Sequence, residues 1–492
     1  MRKYKLLIYL FYINFLFGCK SEFEHFNNEA YAFASDKRIN EKEYNKLIEQ
    51  ITESEEMGFQ QFKNDKGKVD NQKVVIYLLK YLKAKKIEIA AADIWQPEQK
   101  VAKGNLFNIN VYLENSASMD GYVNGVTDFE TAIYNMLGDF KISGICDSLN
   151  LNYINKSITF TKHNALRADI EDFIEKLEPS SFRQRGGDRS TSDISNVLQT
   201  VLSTVNDKNA AILISDFVFS PGTNKDAEDY LNNQGVGIKI SFAEKLKEFD
   251  LSAVVIQLQS DFNGVYYDRT DKPIKINCKR PYYIWVLGST DQIRTILNQK
   301  ILDFIKGGYI NRIVLQPSKQ TKEPNYKILY NPRIGSFSAK ELNRKIISDA
   351  ATSQGKQNKG VFGFNIAVDF GSEMQDAKYY LDSSNYKLSD MAYSIQIDTI
   401  SDKSNPSLSG FTHLLKMKTN DLREGTLKIE VVGKTPSWVY SSSSIDDSNI
   451  VHDNNEKEKT FGFKFLMEGI CDAFYPKANS NPVNIISVTI KK

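Results

Sequence analysis

The run Ala210-Ala211-Ile212-Leu213-Ile214-Ser215-Asp216 decides the fold class of this 492-residue chain. Five unbroken apolar residues predict a short strand covered on both faces, as in the centre of a parallel sheet. The run ends on a hydroxyl and a carboxylate. Outward from it, strands and helices alternate. Toward the N-terminus, 106–113 reads as a strand with Ile109, Val111 and Leu113 alternating, and 129–137, 163–177 and 192–202 read as helices. Toward the C-terminus come a short helix at 242–249, strands at 251–258 and 282–287, and a helix at 291–304. This order predicts an α/β domain over 105–315, with a mostly parallel, Rossmann-like sheet and helices on both faces. Residues 259–280 break the rhythm and read as a hairpin-like insertion or edge addition.

Beyond 315 the helical signal weakens. Strands are expected at 362–368, 393–397, 426–432, 461–466 and 485–490, separated by Gly, Ser, Asn and Asp. They predict a β-rich, sandwich-like C-terminal domain over 316–492. The polar stretch 441–459 reads as a mobile loop. On the other side, 41–57 and 70–86 read as helices of a small region spanning 41–104, and 19–40 shows no period and reads as a tether.

The chain starts Met1-Arg2-Lys3-Tyr4-Lys5, followed by a mostly apolar stretch at 6–17. A basic segment before an apolar one of this length reads as a secretory signal over 1–18, too short for a comfortable membrane span. Leu16-Phe17-Gly18-Cys19 resembles the lipobox of bacterial lipoproteins. That resemblance implies cleavage before Cys19, acylation of its thiol and new amine, and anchoring in the lipid bilayer through the acyl chains. Lys20-Ser21-Glu22-Phe23-Glu24 resembles the surface-export signals of Bacteroidetes-type lipoproteins. The expected location is the outer membrane or cell surface, facing periplasm or exterior.

The chain's formal charge is +2. Arg2, Lys3 and Lys5 leave with the leader, so the remainder sums to about −1, which argues against nucleic acid as a partner. Cys146, Cys278 and Cys471 are too few for a disulfide scaffold, although one bridge is open to them. The four histidines are scattered, which disfavours a histidine-rich zinc site.

Three segments of the α/β part carry candidate chemistry. They are Glu114-Asn115-Ser116-Ala117-Ser118 after a strand, Gly186-Gly187-Asp188-Arg189-Ser190-Thr191-Ser192-Asp193 before a helix, and Ser215-Asp216. In an open parallel sheet, ligands bind beyond the carboxyl ends of strands, where all three can lie. Together they offer two carboxylates and three hydroxyls, a donor set suited to a hard divalent cation such as Mg²⁺.

The arrangement resembles the metal-ion-dependent adhesion site of von Willebrand factor A domains. Ser116 and Ser118 match the two first-loop serines, and Asp216 matches the third-loop aspartate. Thr191 matches the second-loop threonine by type, and Ser192 matches it by position. Glu114 stands where the family has aspartate and reaches about one CH₂ further, which matters because Mg²⁺ demands near-ideal geometry. The resemblance implies a cation whose open position is filled by an acidic residue of an envelope or extracellular partner protein. Arg183, Arg185 and Arg189 form a possible ligand rim, alongside their reading as solvated charges. Gly-x-Ser-x-Gly, His-Glu-x-x-His and phosphate-cradling loop motifs are missing, so a binding protein is favoured over an enzyme. The alternatives are a metal-dependent hydrolase and a surface glycan-binding lipoprotein.

Overall fold

The chain divides into two units, Met1–Gly104 and Asn105–Lys492. The computed structural model describes residues 21–63, 67–87, 89, 94, 106–189, 193–222, 226–303, 305–317, 322–371, 373–401, 405, 408–476 and 482–492. The leader 1–18 and Cys19 lie outside the described residues.

Met1–Gly104 is built on helices α1 (Glu22–Phe33), α2 (Glu41–Glu53) and α3 (Asn71–Ala84). The first of them occupies the stretch expected to be an aperiodic tether. Its apolar members Phe23, Phe26 and Ala30 do fall three and four residues apart, but polar residues between them dilute the period. Ser21 caps the helix, its hydroxyl accepting from the Glu24 amide at 3.1 Å. Phe26 meets Phe59 edge-on at 5.5 Å and shares a buried core with Tyr44, Leu47 and Leu78. No described helix is long and apolar enough to cross a membrane.

In Asn105–Lys492 the α/β part contains β1 (Phe107–Glu114), α4 (Asp128–Ser143), β2 (Cys146–Ile154), β3 (Ile158–Lys162), α5 (Arg167–Glu175), α6 (Ile194–Thr204), β4 (Asn209–Ser215), α7 (Ala227–Glu248), β5 (Leu251–Tyr267), β6 (Pro273–Ser289), α8 (Thr290–Asn298) and β7 (Tyr309–Leu315). The strands form one sheet in the order β3-β2-β1-β4-β6-β5-β7. The decisive run 210–214 is its centre, and every side chain of that run is fully buried.

The expectation of a mostly parallel sheet is corrected. Only β1–β2 and β1–β4 run parallel. The pairs β2–β3, β4–β6, β5–β6 and β5–β7 are antiparallel. The cause is the length of β5 and β6, each of 17 residues. Residues 259–280 do form a hairpin, but as the outer halves of these two strands joined by a short turn rather than as a separate insertion. A chain that turns back at once pairs antiparallel, because a parallel partner needs a long crossover. The returning strand slots between β4 and β5, so β4 meets an antiparallel neighbour.

The β-rich part contains β8 (Asn325–Ile334), β9 (Ser336–Ser338), β10 (Ile346–Ala351), β11 (Phe362–Asp369), β12 (Tyr386–Leu388), β13 (Tyr393–Thr399), β14 (His413–Thr419), β15 (Gly425–Val431), β16 (Ser443–Ser444), β17 (Thr460–Phe461) and β18 (Asn484–Ile490). It forms sheets ordered β12-β15-β18-β10-β9 and β13-β14-β11-β8, and β16 pairs with β17. Of residues 461–466, expected as a strand, only Phe461 ends a strand (β17), and Phe463–Leu466 begin helix α9 (Phe463–Phe474). This helix packs on α7 rather than joining a sheet. Gly235 and Gly469 lie at the crossing, where a side chain on Gly469 would stand 2.3 Å from the Gly235 carbonyl oxygen. Phe463 stacks on Tyr283 of β6 with ring centres 4.0 Å apart. A segment from the C-terminal end thereby completes the core of the α/β part.

Residues 441–459, expected as a mobile loop, are a fixed strap. The Thr460 amide donates to Ser442 O and the Gly462 amide to Ser444 O, both at 2.9 Å. Asp447 is 1% exposed and accepts from the Tyr266 hydroxyl at 2.5 Å and the Arg269 amide at 2.9 Å. A polar composition reads as solvated in sequence, but here the polar groups find partners in β5 and β6.

Candidate functional site

Strands β1 and β4 are direct parallel neighbours, with Leu113 opposite Ile214. Their carboxyl ends therefore fall side by side, which brings Glu114 next to Ser215 and Asp216. The Ser215 hydroxyl donates to Glu114 Oε2. Past β1 the chain enters a tight turn at Ala117–Gly121. That turn folds Ser116 and Ser118 together, with their Oγ atoms 3.0 Å apart. Ser118 also faces Asp216, where its hydroxyl favours the charged carboxylate. Glu114, Ser116, Ser118 and Asp216 thus form one cluster at the strand ends.

The cluster is largely buried. Glu114 is 0%, Ser116 3% and Asp216 3% exposed, while Ser118 is half-buried. Burial, and then the neighbouring Glu114 charge, raise the Asp216 pKa to about 7. The Val218 amide, Arg280 and the Ser118 hydroxyl pull the other way without cancelling this. The two desolvated carboxylates repel one another, with the Arg280 charge beside Asp216, and a cation between them would relieve that repulsion. Among the described residues no three His, Cys, Asp or Glu side chains gather as a metal-holding group. A cation here would lean on two carboxylates and two hydroxyls.

The second loop is tied to the first. Asn155 Nδ2 donates to Asn115 Oδ1 and to Gly186 O, both at 2.9 Å. The Ala117 amide donates to Arg189 O at 3.2 Å. Thr191 and Ser192 lie outside the described residues. Asp193, directly after them, caps α6 by accepting from the Ser195 and Asn196 amides at 3.1 and 3.2 Å.

Each of the three arginines has a partner within the protein, and Arg183 stays largely exposed at the surface. Arg189 donates to Asn115 O at 2.5 Å and Ser116 O at 3.0 Å, and pairs with Asp120. Arg183 pairs with the same carboxylate at 2.8 Å. Arg185 lies over the Tyr153 ring at 5.4 Å. Asp120 pairs with two of these side chains, the exposed Arg183 and the more buried Arg189, a role its place in the sequence did not reveal.

Arg280 also escaped the sequence reading. It is 1% exposed, lies over the Tyr266 ring at 4.3 Å, and donates to Lys457 O and Lys459 O, each at 3.2 Å. Burial works against its charge, but Tyr266, Tyr122 and Asp216 outweigh that and hold its pKa above the ordinary arginine value. The available signal was position: Arg280 heads the apolar run 282–287, so it enters the sheet's interior with it. Cys146, Cys278 and Cys471 are free thiols. No family model, curated protein or solved structure matches the chain.

Proposed function

We propose that the protein is a membrane-anchored envelope or surface protein that binds a partner protein through a divalent cation at the ends of β1 and β4. Glu114, Ser116, Ser118 and Asp216 would hold the ion, with Thr191 or Ser192 as the second-loop contributor. The observation that carries the reading is the convergence of these four side chains, two of them buried carboxylates that repel one another. The cation would supply a positive centre for a carboxylate of the partner, strong in a partly dry interface. Ser118, the least buried member, gives the approach from solvent. The order β3-β2-β1-β4 and the strand-end loops support the likeness to von Willebrand factor A domains in that half of the sheet. Lipid anchoring through Cys19 rests on the leader and the Leu16-Phe17-Gly18-Cys19 motif.

Envelope extracts passed over the immobilised protein test this. A partner should be retained in Mg²⁺ and released by chelator. Ser118→Ala should retain roughly tenfold less, about 1.4 kcal/mol of binding. Capture that is equal in chelator and in Mg²⁺ would place binding elsewhere.

One observation favours a second reading. The Arg280 guanidinium beside Asp216 is itself a resident positive charge. A metal-free binding module, with Arg280 as the counter-ion, would show no cation dependence in the same experiment.

A further inference from the structure

The sheet β13-β14-β11-β8 buries one face, carrying Phe362, Phe364, Ile366 and Leu415. The opposite face carries a cleft of about 380 Å³. Two cross-strand rows build it. In one, Ser394 pairs with Lys418 and Lys418 with Gly363. In the next, Gln396 pairs with Lys416 and Lys416 with Asn365. Gly363 has no side chain to fill its row, and β8 departs from regular pairing between Gly363 and Asn365. That irregular stretch brings Pro332 and Arg333 to the wall of the cleft.

Three cations line this space. Lys416 is paired with Asp398. Among the described residues no carboxylate pairs with Arg333 or Lys418, so the cleft carries excess positive charge. Arg333 is held in place: its guanidinium lies 4.0 Å from the Tyr330 ring centre, and Nη1 donates to Asn331 Oδ1 at 2.6 Å. Its Nε is closed off from solvent with no hydrogen-bond partner among the described residues. Asn365 is fixed by donating to Pro332 O at 3.1 Å.

We propose that this cleft binds a small polyhydroxylated anion, of the acidic-sugar class. Arg333 and Lys418 meet its carboxylate or phosphate, and Asn365, Gln396 and Ser394 meet its hydroxyls. The volume lies within the range of small-molecule sites, and a preorganised guanidinium with an unpaired ammonium is suited to an oxyanion. The site is independent of the strand-end cluster.

Calorimetry on the full chain with galacturonate, glucose 6-phosphate and neutral galactose tests the assignment. Either or both anions should bind at least about tenfold more tightly than galactose. Lys418→Met, at an exposed position, should weaken that binding about tenfold with the melting temperature unchanged, and Arg333→Met should weaken it by a similar factor. Galactose binding as tightly as the anions would overturn the proposal. So would the absence of anion binding up to about 10 mM, or anion binding insensitive to both substitutions.

Discussion

Gly469→Ala should destabilise the protein by about 3 kcal/mol in urea unfolding, the cost of overpacking a crossing that cannot yield. A Cβ at Gly469 would stand 2.3 Å from the Gly235 oxygen and 3.3 Å from the Gly235 Cα. The opposing Cβ, at Gly235, would stand 2.8 Å from Phe465 O. These obstacles are backbone atoms, so no rotamer change relieves them, and α7 and α9 must separate. Separation opens the packing of Phe463, Leu466, Met467 and Ile470, all fully buried. Alanine does favour the helix over glycine, by about 0.5–1 kcal/mol, and the steric cost exceeds that gain. Gly237 separates the two effects. It lies on the same helix with nothing within 4 Å of where its Cβ would be. Gly237→Ala should therefore stabilise by about 0.5–1 kcal/mol. A Gly469→Ala protein as stable as wild type would mean that the helices do not cross at these glycines.

Arg280→Met should cost about 4 kcal/mol of stability, in the range for breaking a buried charge network. The substitution keeps much of the volume but strips the donors from Lys457 O and Lys459 O. It also removes the positive charge facing Asp216 and the cation–ring contact with Tyr266, whose hydroxyl donates to Asp447 of the strap. Hydrogen exchange at the Thr460 and Gly462 amides, which close the strap, should accelerate more than exchange in β1 or β4. Arg280→Lys should recover little of the loss, because one compact ammonium does not reproduce the guanidinium's divergent donors. A melting temperature unchanged in Arg280→Met would show that the strap is held by other contacts.

The parts of the fold legible in sequence were those with a single dominant period. The apolar run 210–214 could only be an interior strand, and 362–368 and 426–432 carry similarly clear patterns. Helix α7 spans 22 residues, but only its tail at 242–249 was readable. Asn232, Asn233, Gly235 and Gly237 lower helix propensity, and one of those glycines is there for the crossing with α9. In α9 two periods compete. Phe461, Phe463 and Phe465 alternate like a strand, while Phe463, Leu466, Met467 and Ile470 follow a helical stripe, and packing on α7 decides between them. The candidate site was partly legible because Glu114, Ser116 and Asp216 depend on local strand ends. Arg280 and Asp447 were not, since a charged residue buried by distant partners looks like any solvated one.

Titration calorimetry with Mg²⁺, repeated with Mn²⁺, tests the strand-end site most directly. Four converging oxygen-bearing side chains should give a single binding event per chain at roughly millimolar or lower cation, with a rise in melting temperature. Both signals should vanish in a Ser118→Ala, Asp216→Asn protein that keeps its fold by circular dichroism. No heat and no melting shift in the wild type would contradict cation binding and leave Arg280 as the charge that balances Asp216.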